Sequence, residues 1–172
     1  MTDEKQKSVS PWSSWPLDRE VVMARVVDAD RDLAFRAWTD PEQIVQWFGP
    51  AGFQLKTYEI DIREGGVWRF DMIAPDGTVF SNRMDFLRVE PSRVIEFIHG
   101  TDAEADPDAF RMLVTFDEQD NGKTALTLRQ MHPTAERRKI VVGFGAVEYG
   151  AQTWDKFADH VAKLAAGLRA SG

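Results

Sequence analysis

The sequence contains no cysteine, which excludes disulfides, thiolate metal sites and cysteine nucleophiles and fits a reducing compartment. An excess of positive charge is also missing. Lys and Arg number 21 against 28 Asp and Glu, a formal charge of −7 that repels phosphate backbones and anionic membrane surfaces. No nucleic-acid and no membrane partner is therefore expected. Residues 1–18 lack an apolar run of the length that a signal peptide or membrane span needs, so the expected location is the cytoplasm. The three histidines, His99, His132 and His160, show no metal-ligand spacing. Asp102, Glu104, Asp106 and Asp108 alternate without the glycine and terminal glutamate of a calcium loop, so this run reads as solvated. No Gly-x-Ser-x-Gly context and no glycine pattern that cradles a nucleotide occurs. The expectation is no metal and no cofactor.

At 172 residues the chain is long enough to bury a substantial core in one domain without staples. Residues 1–18 read as a flexible leader and 19–169 as the domain. Within the leader, Trp12 and Trp15 are flanked by Pro11 and Pro16, which suits a strap on the domain surface or a homodimer contact. The richest stretch runs from Trp38 to Phe53. Asp40 suits a helix cap, Pro41 the first helical position and Gln43 the capping-box position, and Gly49-Pro50 stops the second short helix after Phe48. Trp38, Trp47 and Phe48 carry more apolar area than one short helix leaves in water, so they must pack on something concave.

Periodicity orders the rest. Glu20 to Ala29 is rich in valine and reads as a strand, after which Asp30 caps a helix with Leu33, Ala34, Ala37 and Trp38 on one side. Beyond Phe53 the period changes to two: Tyr58, Ile60 and Ile62 alternate with charged neighbours up to the turn Glu64-Gly65-Gly66, and Trp68, Phe70 and Met72 oppose Arg69 and Asp71 on the next strand. Ala74-Pro75-Asp76-Gly77 is a turn by its own chemistry. Its return strand, Thr78 to Val89, aligns Phe80, Asn82, Met84 and Phe86, and Arg93 to Gly100 aligns Ile95, Phe97 and His99. Phe110 to Asp117 and Lys123 to Met131 form a hairpin across Asn121-Gly122. The last forty residues read as one long amphipathic helix carrying Phe144, Val147, Ala151, Trp154, Ala158, Val161, Ala165 and Leu168, with Gly143, Gly145 and Gly150 marking a bend or a close approach near its start.

A strand, two short helices, six strands and a long helix group into an antiparallel meander covered by that helix, an α+β fold with an apolar gap between the layers. His99, on a face with Ile95 and Phe97, reads either as a general base or ligand-orienting donor, or as a core histidine satisfied by a carbonyl. Asn82, Gln130 and Tyr149 read as orienting groups in the cavity or as ordinary structural hydrogen bonds. Glu148 falls on the charged helix face, and Arg137-Arg138-Lys139 reads as a solvated helix start.

The run Trp38 to Phe53, Gly65-Gly66-Val67-Trp68-Arg69-Phe70, Pro75-Asp76-Gly77, Asn82-Arg83 with Phe86-Leu87, and Gly145-Ala146-Val147-Glu148 together resemble the SRPBCC (START-like, Bet v 1-like) superfamily. The branch they resemble is the one related to the C-terminal domain of the heat-shock protein 90 ATPase activator, Aha-type, over roughly residues 20 to 168. The resemblance implies a helix-grip fold, a curved antiparallel sheet of about six to seven strands around a C-terminal helix, with a hydrophobic cavity. It leaves open three functions: binding of a small hydrophobic or aromatic molecule, a cyclase, dehydratase or hydrolase activity on a hydrophobic substrate, and a co-chaperone-like interaction. The expected cavity residues are Trp47, Phe48, Trp68, Phe70, Met72, Asn82, Met84, Phe86, Phe97, His99, Met112, Gln130, Phe144, Val147 and Trp154, with His99 the candidate catalytic group.

Overall fold

The Val-rich segment Glu20–Val27 forms strand β1, two residues shorter than the sequence pattern because Asp28 and Ala29 lead into the helix cap. The computed structural model describes residues 17–172. Trp12 and Trp15, with the strap or dimer contact expected of them, lie outside the described residues. Asp30 caps helix α1, Arg31–Thr39, by accepting from the amide of Leu33 at 2.8 Å. Asp40 then serves two helices at once. Its amide donates to the Arg36 carbonyl and closes α1, while its carboxylate accepts from the Glu42 amide and opens α2, Pro41–Trp47. Gln43 does not complete a capping box. Its side-chain oxygen meets Nε2 of His160 on the C-terminal helix instead, so the residue joins two helices.

Six strands follow: β2 Gln54–Ile60, β3 Val67–Ile73, β4 Val79–Glu90, β5 Val94–Gly100, β6 Phe110–Glu118 and β7 Thr124–Met131. All neighbours pair antiparallel, in the order β1-β7-β6-β5-β4-β3-β2. Register irregularities between Thr57 and Glu59 and between Phe86 and Arg88 add local twist and bend. The period-two alternation is realised: Trp68, Phe70, Met84, Phe86, Ile95, Phe97, Met112, Val114, Leu126 and Leu128 are buried on the concave face.

The segment after β7 is two helices, α3 Ala135–Phe144 and α4 Ala146–Ala170, and not the single rod that its periodicity predicts. Gly145 adopts φ 109°, a left-handed conformation that ends α3 and resets the helical phase for α4. Phe144 is consequently 70% exposed, and no residue of α3 is buried. From Trp154 onward α4 buries Phe157, Val161 and Ala165, filling the grip of the sheet. Burial of each such side chain contributes about 1.5–3 kcal/mol.

The acidic segment between β5 and β6 is bonded in place, which corrects the reading of it as solvated. Asp102 makes a two-pronged contact with Arg69, and Asp106 accepts from the amides of Thr101 and Asp108. Of its four acids only Glu104 and Asp108 are exposed. Arg138 likewise donates to the Glu20 carbonyl, so the basic start of α3 is partly structural.

At the turn into β3, a Cβ on Gly66 would stand 2.1 Å from the carbonyl oxygen of Asp61. Gly66→Ala is therefore expected to destabilise by about 1–3 kcal/mol. Gly65→Ala, whose methyl would meet nothing within 4 Å at φ 79°, is expected to lose about 1 kcal/mol through the backbone alone. Urea midpoints rank the two, and a wild-type midpoint for Gly66→Ala contradicts the close approach.

Candidate functional site

Strand register sets two rows of side chains on the concave face. Met84, His99 and Phe110 are direct neighbours across β4, β5 and β6, and Phe97, Met112 and Gln130 across β5, β6 and β7. Opposite them, the first half of α4 presents Ala146, Gly150 and Thr153, small residues at helical spacing. The facing surfaces do not meet. A cavity of about 180 Å³ lies between them, closed at one side by Trp38, Phe48, Gly49, Pro50 and Trp154 and bordered by Met72 and Tyr149.

The Trp38 ring holds this wall. It is fully buried, with ring centroids 5.4 Å from Trp47, 5.6 Å from Phe97 and 5.9 Å from Trp154. Trp47 donates its indole N–H to the Ala37 carbonyl at 2.9 Å, fixing α2 against α1. Two bonds clamp α4 to the turn after α2: Lys156 Nζ donates to the Gly49 carbonyl at 3.0 Å, and the Ala51 amide donates to Gln152 at 3.2 Å. Burial lowers the Lys156 pKa.

His99 is the cavity's ionisable group of interest. Burial pushes its pKa down to about 4, with Asp106 acting weakly in the opposite sense, so the imidazole is neutral at neutral pH. Its Nε2 lies 2.8 Å from Oδ1 of Asn82, whose amide nitrogen donates to the Phe80 carbonyl at 2.7 Å. His132 is 1% exposed and packs its ring 5.2 Å from Phe110, and neither ring nitrogen has a partner among the described residues. His160 is engaged with Gln43. Among the described residues no three His, Asp or Glu gather in a metal-binding group. Two larger grooves lie on the surface, one between α1 and the end of α4 and one on the outer sheet face. Arginines and Glu96 line the second, in place of rings.

The structure brings Phe48, Met72, Met84, Phe97, His99, Met112, Gln130 and Trp154 together around the cavity. Trp47, Trp68, Phe70 and Phe86 stand behind that lining in the packed core. Asn82 is 8% exposed and reaches the cavity only through His99. Phe144 and Val147 are exposed near the start of α4, because the phase set by Gly145 turns them outward. Sequence reasoning passed over Trp38, Gly49, Pro50, Phe110, Ala146, Gly150 and Thr153 as lining. For Ala146, Gly150 and Thr153 the signal was small residues replacing large ones on an otherwise apolar helix stripe.

An antiparallel sheet curled around one long helix, with a cavity left between them, defines a helix-grip protein. The chain belongs to the Activator of Hsp90 ATPase homolog 1-like protein family, which matches residues 28–164. Similar solved structures come from Nitrosomonas europaea (22% identity, TM-score 0.79, covering 88% of this chain and 99% of that one) and Arthrobacter aurescens (20%, 0.78, 85% and 87%). A third, from Mycobacterium smegmatis, is 20% identical with a TM-score of 0.72 and covers 86% and 90%. At these identities the likeness is one of fold. No curated protein matches the sequence. Among the described residues no helix is long and apolar enough to cross a membrane.

The low His99 pKa has a consequence for stability. An unfolded histidine titrates near 6.5, so between pH 6.5 and about 4 the unfolded chain binds the proton and the native chain does not. Stability conferred by the neutral native ring is full above that window and is lost as pH falls through it, by on the order of 3 kcal/mol. His99→Gln is expected to flatten the fall in urea midpoint between pH 7 and pH 4.5. A slope equal to that of the wild type places the titration elsewhere.

Proposed function

We propose that this protein binds a small hydrophobic or aromatic molecule in the cavity beneath α4. The observation that carries the reading is the lining: rings and methionines from four strands face a helix stripe of Ala146, Gly150 and Thr153, and no Asp, Glu, Lys or Arg is among the described residues that line it. An apolar cavity of ~150 Å³ admits one benzene ring, so the 180 Å³ here suits a guest built on a single ring. Removing such a guest from water supplies the affinity, and methionines at 72, 84 and 112 let the wall adjust to its shape. His99 acts as an orienting group. A base with a pKa of about 4 is poorly matched to proton abstraction at neutral pH, which sets this reading ahead of a cyclase, dehydratase or hydrolase built on the same residue. The family's name describes a chaperone activator; the cavity argument rests on the interior and is independent of any such surface.

Because Trp38 and Trp154 line the cavity, benzene, toluene or ethylbenzene entering it is expected to change the intrinsic fluorescence saturably. Thr153→Phe, which fills the space from α4, is expected to weaken the effect tenfold or more while the far-ultraviolet circular dichroism is retained. A panel of such probes giving no saturable signal with the wild-type protein overturns the reading.

A further inference from the structure

The cavity contains one polar group whose bonding state the fold sets in advance. The Phe80 carbonyl can only accept, so the side-chain nitrogen of Asn82 must face it at 2.7 Å. That leaves Oδ1 of Asn82 toward His99, 2.8 Å from Nε2, and the ring must carry its hydrogen on Nε2 to make the bond. With the imidazole neutral, the second nitrogen, Nδ1, presents a bare lone pair. It has no partner among the described residues and is not among the buried unpartnered atoms, while His99 itself lines the cavity. The free acceptor is therefore an accessible atom on a residue that lines the cavity. An ionised guest would enter without a counter-charge, because the lining holds no Asp, Glu, Lys or Arg, and burying it unpaired is prohibitive.

We propose that the cavity selects a neutral single-ring molecule bearing a hydroxyl group, of the phenol class, whose O–H donates to Nδ1 of His99. The inference rests on the ligand-binding reading above and narrows it to one chemistry. A hydroxyl offers Nδ1 one strong donor while adding a single heavy atom to the ring that a cavity of this size holds. Asn82 is a positioning residue here: it meets no guest, and it acts by holding the His99 hydrogen on Nε2.

Three probes of similar size separate the possibilities: p-cresol, toluene and benzoate, titrated into the full chain at pH 7.5. p-Cresol is expected to bind roughly five- to tenfold more tightly than toluene, the factor one neutral hydrogen bond supplies, and benzoate more weakly than either. His99→Leu is expected to erase the preference for p-cresol while keeping toluene affinity. In the wild-type protein, the nitrogen-15 resonance of His99 Nδ1 is expected to move toward the hydrogen-bonded range on adding p-cresol and to stay put with toluene, a readout that needs no variant. Asn82→Ala is expected to mix the two tautomers in the same spectrum. Equal affinity for p-cresol and toluene, an unmoved Nδ1 resonance, or benzoate binding as tightly as p-cresol overturns this inference and leaves the cavity reading standing. Failure of all three probes overturns both.

Discussion

The arrangement depends on one buried ring. Trp38 sits at the end of α1 with none of its surface exposed, and it touches Trp47 of α2, Phe48 of the turn, Phe97 of the sheet and Trp154 of α4. Four separate elements thus share a single packing partner, and the spacing of sheet and helix near Trp38 is set by the size of that indole. Close-packed interiors transmit such a constraint because they deform little. Past the ring, with Tyr149 at the border, the helix offers small residues: Ala146, Gly150 and Thr153 face Met84, Met112 and Phe110 across a gap, whereas farther along Phe157 and Val161 close it. The cavity is a region the Trp38 cluster props open and small helix residues leave unfilled.

The buried polar groups at and behind this lining are treated differently. Asn82 satisfies its amide on both sides, to Phe80 and to His99, so its burial is compensated and the His99 tautomer is specified. His132, on the far side of Phe110, is buried with both ring nitrogens unpartnered among the described residues, and burial together with the charges of Arg137 and Arg138 holds its pKa below the usual value. Its place is secured by its backbone, which exchanges bonds with Arg19. Only the first of the two imidazoles faces the cavity, and it is the one whose hydrogen the fold has positioned.

The physics of each signal decides which parts of this structure were legible in the sequence. Trp68, Phe70 and Met72 alternate with Arg69 and Asp71, and such period-two contrast survives into the structure because one face of an antiparallel sheet is wet. The helix pair was legible through Asp40 and Pro41, whose capping chemistry is local. The extension of the last helix back through Phe144 was misread because hydrophobic spacing is blind to a φ of 109° at Gly145, although the glycine itself was visible. Trp68 and Phe86 could not be told from Phe97 and Met112 by type. What separates them is position beneath α4, a tertiary fact. Gly49, Ala146 and Gly150 escaped for the opposite reason: a search for large apolar groups overlooks residues that make room by being small. The pairing of Asn82 with His99, seventeen residues apart, needed the register of β4 on β5 and had no sequence signature of its own.

Charge and its absence divide the sheet into two environments. On the outer face Glu96 is nearly buried between Arg88 and Arg111, and Arg129 reaches Glu20, while Arg69 grips Asp102 at the rim. The described residues that line the cavity beneath α4 include no Asp, Glu, Lys or Arg. A guest there would be held by contact area and by whatever hydrogen bond it made, and in so small a space area alone discriminates weakly, since one methylene is worth only about 1–3 kcal/mol. A buried acceptor behaves otherwise. A guest that leaves it unpaired loses the bond and strips its water as well. Under the proposed reading, discrimination rests on the one nitrogen that Asn82 keeps free, and the rings around it supply affinity without preference.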